Sequence, residues 1–174
     1  MTDYRYSLIR IFPLSDGPKY AFFGINPSTA DSQEDDATVR KWKGFVARWG
    51  GSQFVVGNCF AARSTDVKGL AKMEDPIGKR NDECLRAICE QSDILIPCWG
   101  SRQKIPNHLH ERVDKVARLV LRYACGKPVM CFGKTSSGDP KHPLMLGYNT
   151  VMESWNVYQE RVQPSSGSRS SLPR

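Results

Sequence analysis

The 174-residue chain has no C-x-x-C pair, no apolar run longer than a strand, and only three histidines. Each shortage removes a class of protein. Scattered cysteines (Cys59, Cys84, Cys89, Cys98, Cys125 and Cys131) give no zinc or iron–sulfur spacing. Several fall inside apolar runs, where a thiol behaves as a small hydrophobe, so reduced cysteines in a cytoplasmic setting are expected. Strand-length runs do not cross a bilayer, and the polar start Met1-Thr2-Asp3-Tyr4-Arg5 has no signal-peptide core behind it. G-x-S-x-G is missing, which removes the nucleophile-elbow hydrolases. No G-x-G-x-x-G follows a strand. Gly133-Lys134-Thr135 has Pro128 where a phosphate-binding loop needs its first glycine. No cofactor, metal or membrane is expected.

What remains is ordinary globular composition, with 40% hydrophobic and 25% charged residues. One domain over 1–160 is expected, followed by a polar tail, 161–174, too poor in apolar residues to order. The net charge of +7 is uneven. Residues 1–100 carry 13 basic and 13 acidic side chains, and residues 101–174 carry 12 and 5. Such asymmetry suits a polyanionic partner, nucleic acid first, or a solvated basic surface.

Hydrophobic periodicity orders the chain. Tyr4 to Phe12 alternates as a half-exposed strand. Tyr20 to Ile25 is a continuous apolar run and reads as a strand covered on both faces, ended by Asn26-Pro27-Ser28. Val39, Trp42, Val46 and Trp49 mark a helix from about 36 to 49, with Asp35 as its N-cap and Gly50-Gly51 as its stop. Phe54 to Phe60 and Ile94 to Trp99 are two further strands. Residues 61–80 read as loop, and 81–91 as helix. Leu109, Val113, Val116, Val120 and Tyr123 line a helix over 106–125, and Pro128 to Phe132 closes the series. Alternating strands and helices imply a parallel sheet with helices on both faces.

In such sheets ligands sit beyond the carboxyl ends of the strands. Asn26 and Ser28, Asn58, Trp99-Gly100-Ser101-Arg102, and Gly133-Lys134-Thr135 with His142 all fall there. Asn26 is a turn residue or a ligand residue. Asn58, an amide inside an apolar run, either links strand to loop or reads a ligand edge. His142 is the functional candidate among the histidines, while His108 and His110 read as solvated. Asp31, Glu34, Asp35 and Asp36 cap the following helix, or bind a metal or a cationic group.

Longer motifs carry a resemblance. F-F-G-I-N-P-S-T-A-D, D-D-A-T-V-R-K, G-N-C-F-A-A-R-S-T-D, C-W-G and K-H-P-L resemble a bacterial and phage family known as domain of unknown function sixteen-forty-three, over roughly 4–157. More distantly, the same segments resemble the uracil-DNA glycosylase superfamily. G-I-N-P-S is similar to the G-I-N-P-G of its mismatch-specific branch, with Ser28 in place of the glycine. Asn58 resembles its base-reading asparagine. I-P-C-W-G-S resembles its L-L-W-G-S, and His142-Pro143 its H-P-S-P-L-S loop, here without the serine. The resemblance implies a monomeric, single-domain three-layer α/β/α sandwich with a mostly parallel central sheet. It also implies action on the N-glycosidic bond of a uracil-like or modified pyrimidine in DNA, or on a nucleotide.

On that resemblance Asn26 holds the attacking water and His142 hydrogen-bonds the departing base. Gly24, Pro27, Ser28, Asn58, Phe60, Trp99 and Ser101 form the base pocket, with Phe23 a further ring to stack on an extruded base. Arg102, Lys104, Lys134 and Lys141 meet the phosphate backbone. A base- or nucleotide-modifying enzyme and a non-catalytic nucleic-acid binder share the same residues.

Overall fold

A computed structural model describes residues 2–27, 35–64 and 66–156. Three parallel strands form its centre. β1 (Leu8–Ile11) precedes β2 (Lys19–Gly24), α1 (Ala37–Arg48) and β3 (Gln53–Asn58). A single-turn α2 (Val67–Leu70), α3 (Asn81–Gln91), β4 (Ile94–Pro97) and α4 (His110–Tyr123) follow. The sheet order is β1-β3-β2-β4, with β2 parallel to both β3 and β4. The protein is thus mixed α/β with a mostly parallel sheet.

Strand alternation sorts the core. Tyr20 and Phe22 of β2 join Phe54 and Val56 of β3 beneath Val39, Trp42, Phe45 and Val46 of α1. Ala21 and Phe23 join Val55 and Leu95 beneath Leu85 and Ile88 of α3 and Val113, Val116 and Val120 of α4. Both faces of β2 are therefore apolar, and its last five residues are buried.

Several expectations change. β1 runs antiparallel to β3 and is shorter than its alternating pattern; Tyr4 forms an isolated antiparallel bridge to Ala62 instead of extending the strand. The loop over 61–80 contains α2, capped by Asp66. The N-cap of α1 is Asp36, whose side chain accepts from Val39 N at 2.8 Å. Asp35 instead binds Arg10 and Lys43, at 2.7 and 2.8 Å. The expected helix over 106–125 opens with a 3₁₀ turn, Asn107–Leu109, before α4. The expected fourth strand is reduced to one parallel bridge, Leu95 to Val129. Its continuation, β5 (Met130–Cys131), pairs antiparallel with β6 (Glu153–Ser154), which periodicity did not mark because both residues of β6 are exposed and polar. The tail 161–174 lies outside the described residues, and all six cysteines are free thiols.

Candidate functional site

The parallel strands β2, β3 and β4 end on one side of the sheet, and a cleft of about 210 Å³ opens there. It is lined by Gly24, Ile25 and Asn26 after β2, Val56 and Asn58 of β3, Trp99 after β4, and His142. Asp36, Thr38, Val39 and Trp42 come from the start of α1, Arg5 from the N-terminal segment and Val67 from α2.

Asn58 is 5% exposed and sits opposite Gly24 in the β2–β3 register. A Cβ at position 24 would lie 2.7 Å from Asn58 Oδ1, so the glycine makes room for the carboxamide. The backbone behind Asn58 is held firmly. Asn81 Nδ2 donates to the carbonyls of Asn58 and Cys59, both at 3.0 Å, and Arg112 Nε donates to the Cys59 carbonyl at 2.7 Å. The Asn58 carboxamide has no hydrogen-bond partner among the described residues. An amide that borders the cleft without a bond to a described residue can offer both its donor and its acceptor to a ligand.

Asn26 donates its amide N–H groups to the carbonyls of Ser64 and Pro27, at 2.6 and 3.0 Å. The end of this side chain that remains for a ligand is the acceptor Oδ1. His142 stands at the mouth, exposed. Its Nδ1 accepts from Leu144 N at 3.3 Å, which places the proton of the neutral ring on Nε2. Partial desolvation where the ring borders the cleft lowers its pKa from the ordinary histidine value; Asp36 opposes that shift and Lys104 adds to it. In its neutral form His142 is a hydrogen-bond donor through Nε2. The turn beneath it is fixed by Gly100, at φ +81°, which donates to the Pro140 carbonyl at 2.9 Å.

The other sequence candidates lie elsewhere. Phe60 is fully buried in the α3–α4 core, as is Phe23, so neither ring faces the cleft. Pro27 is buried beside it, and Ser28 lies outside the described residues, as do Asp31 and Glu34. Ser101 caps a 3₁₀ turn by accepting from Gln103 N. Arg102 is bound by Asp139 at 2.7 Å and Asp114 at 3.1 Å. Lys134 sits in a hairpin paired with Pro140, and Lys104 and Lys141 are exposed. His108 is exposed, but His110 is no solvated residue: its Nε2 lies 2.9 and 2.8 Å from the carbonyls of Arg102 and Ile105. No cluster of three metal-ligating side chains occurs among the described residues.

Sequence reasoning missed Trp42 and Arg5 as cleft residues. Trp42 stacks on Phe22 at 5.3 Å, so helical periodicity marked it only as core.

A mixed α/β protein with a buried asparagine, a histidine and two indoles around a cleft at the strand ends is the class these features define. The chain belongs to the family described as "Protein of unknown function (DUF1643)", whose model matches residues 5–144. That span holds every residue lining the cleft. No curated protein and no solved structure matches the chain.

Proposed function

We propose that the cleft binds a flipped-out or free pyrimidine-like base and that the protein cleaves its N-glycosidic bond. The observation that carries this reading is the Asn58 carboxamide, 5% exposed, bordering the cleft and making no side-chain hydrogen bond among the described residues. A carboxamide offers a donor and an acceptor side by side, which matches the paired acceptor and donor on a base edge. The cleft, at about 210 Å³, is smaller than the roughly 300–1,000 Å³ typical of drug-sized ligands, so it suits a base or nucleoside rather than a dinucleotide. Trp42 and Trp99 supply flat apolar walls.

The chemistry follows from the remaining groups. His142 Nε2–H donates to a base oxygen as negative charge develops there. Asn26 Oδ1 holds the attacking water against the sugar. Leu144 and Met145 follow His142, and Met145 is 90% exposed, which suits filling the gap an extruded base leaves in a duplex. This arrangement fits a glycosylase of the uracil-DNA type on a three-layer fold. A second reading, action on a free nucleoside or nucleotide, is favoured by Arg102, whose guanidinium is already held by Asp139 and Asp114 rather than offered to a phosphate backbone.

The test is a screen against oligonucleotides bearing uracil, thymine mismatches or 5-substituted pyrimidines, and against the matching nucleosides, scored for abasic sites and free base. Product from at least one oligonucleotide, abolished by Asn26→Ala, is expected. Free base from nucleosides alone establishes the second reading. No product, and no change of base mass, overturns both.

A further inference from the structure

Beside the cleft, positive charge gathers without an acid to answer it. α1 carries Arg40, Lys41, Lys43 and Arg48 and no acidic residue, and residues 140–152 contain none either. Lys43 pairs with Asp35 at 2.8 Å, and Arg40 donates to the Asp35 carbonyl. Lys41 and Arg48 converge instead on one ring. The ammonium lies 4.3 Å and the guanidinium 3.9 Å from the centre of Tyr148. The two charges are therefore closer than the roughly 10 Å over which 0.1 M salt screens.

Their hydrogen bonds go to neutral groups: Lys41 donates to the Leu146 carbonyl at 2.7 Å, and Arg48 to the Gly44 carbonyl at 2.9 Å. No carboxylate among the described residues pairs with either. Both side chains keep further donors open. Tyr148 is 37% exposed, and its hydroxyl makes no hydrogen bond among the described residues. Packing on the ring accounts for one cation. A second cation beside it adds repulsion, which a bound anion would reverse.

We infer that Lys41, Arg48 and the Tyr148 hydroxyl form a phosphate site at the rim of the cleft. It takes a phosphate of the ligand whose base enters there. Trp42, next to Lys41, lines the cleft, and the 3₁₀ turn Pro143–Met145, packed on α1, joins His142 to the Tyr148 segment. An ammonium supplies a point charge and a guanidinium a planar fork, both suited to phosphate oxygens. α1 belongs to the half of the chain with balanced charge, so composition did not single it out. The inference rests on the base-binding reading above and makes the ligand a nucleotide or a strand rather than a bare nucleoside.

The decisive variant is Lys41→Gln with Arg48→Gln. Arg118→Gln is the control, an exposed arginine of α4 that does not line the cleft. Deoxyuridine, deoxyuridine 5′-monophosphate and a short single strand with one central uracil are titrated by calorimetry. The wild type and the control should bind the monophosphate or the strand at least about tenfold more tightly than the nucleoside. In the double variant that ratio should fall to about one. Lys41→Arg with Arg48→Lys, which keeps both charges, should retain it; loss there too assigns the effect to packing and overturns the site. An advantage for the monophosphate marks a free nucleotide, and one confined to the strand marks a phosphodiester. No advantage in the wild type, or one that survives the double variant, overturns the site. If no probe binds, inorganic phosphate is titrated while the Tyr148 ring is followed by NMR. Shifts that the double variant abolishes keep the site and overturn the base-binding reading alone; an unmoved ring overturns both.

Discussion

At the scale of single residues, Gly24 and Asn58 depend on each other directly. Gly24→Ala places a methyl group 2.7 Å from Asn58 Oδ1, so the carboxamide must swing away. Affinity for a bound base should drop at least about tenfold, the equivalent of roughly one hydrogen bond, as isothermal calorimetry with uracil or uridine would show. Asn81→Ala removes both anchors that Asn81 gives to the Asn58 and Cys59 carbonyls, and should cost about 2–3 kcal/mol in urea unfolding. Asp82 sets an acid dependence. Burial pushes its pKa up, but hydrogen bonds and charge from Lys115 and Arg112 outweigh that and bring it below the ordinary aspartate value. The folded protein thus binds that proton less tightly than the unfolded chain. The stability Asp82 contributes is complete above the unfolded-chain pKa and is lost as pH falls through the lower folded-state pKa. Urea midpoints from neutral pH down to about pH 3 should fall less steeply for Asp82→Asn than for the wild type. Asn58 was legible as a candidate because an amide in an apolar run must be explained. Asp36 was legible as a cap or as part of an acidic loop for a metal or cationic group, since spacing along a helix does not say what its first turn faces.

Elements were legible where burial is two-sided. β2, β3 and β4 are continuous apolar runs because each is covered above and below, and their parallel pairing follows from the helices between them. β1 is an edge strand with Ile9 and Ile11 exposed, so its pattern carried no sign of direction. The pairing of β5 with β6 depends on residues 22 or more positions apart, which local periodicity does not register. One inter-element contact has a direct consequence for the segment after His142. Tyr148, six residues further along, lies against α1, with Lys41 4.3 Å and Arg48 3.9 Å from its ring centre and Phe45 at 5.0 Å. Gly44 leaves the space for it: a Cβ there would lie 2.4 Å from the Tyr148 hydroxyl oxygen. Gly44→Ala should improve the helix by up to about 1 kcal/mol in propensity while dislodging Tyr148. The measurable result is faster proteolysis within 143–150 with the rest of the protein intact.

Across the whole molecule, charge and fold separate. The excess of basic residues in 101–174 was plain in the sequence, but its availability was not. Arg102 and Arg112 are paired with acids, and Lys127 donates to the carbonyls of Cys89 and Glu90. Lys104 and Lys141 remain exposed on the side of His142. If nucleic acid is the substrate, Lys104→Ala with Lys141→Ala should reduce the slope of log affinity against log salt by about 1.8 on duplex DNA. A fluorescence-anisotropy titration at several salt concentrations reads that slope; an unchanged value places the phosphate contacts elsewhere. Finally, the two indoles that wall the cleft make the protein its own optical reporter. Trp42 and Trp99 are two of only four tryptophans, so half of the chromophores that dominate its ultraviolet emission border the space a ligand enters. Trp99 also meets Trp155 edge-on at 5.4 Å, which couples a third chromophore to the same event. A base stacked there should quench the emission and shift its colour, so occupancy is readable on unlabelled protein from the end of a stopped-flow mixer's dead time onward.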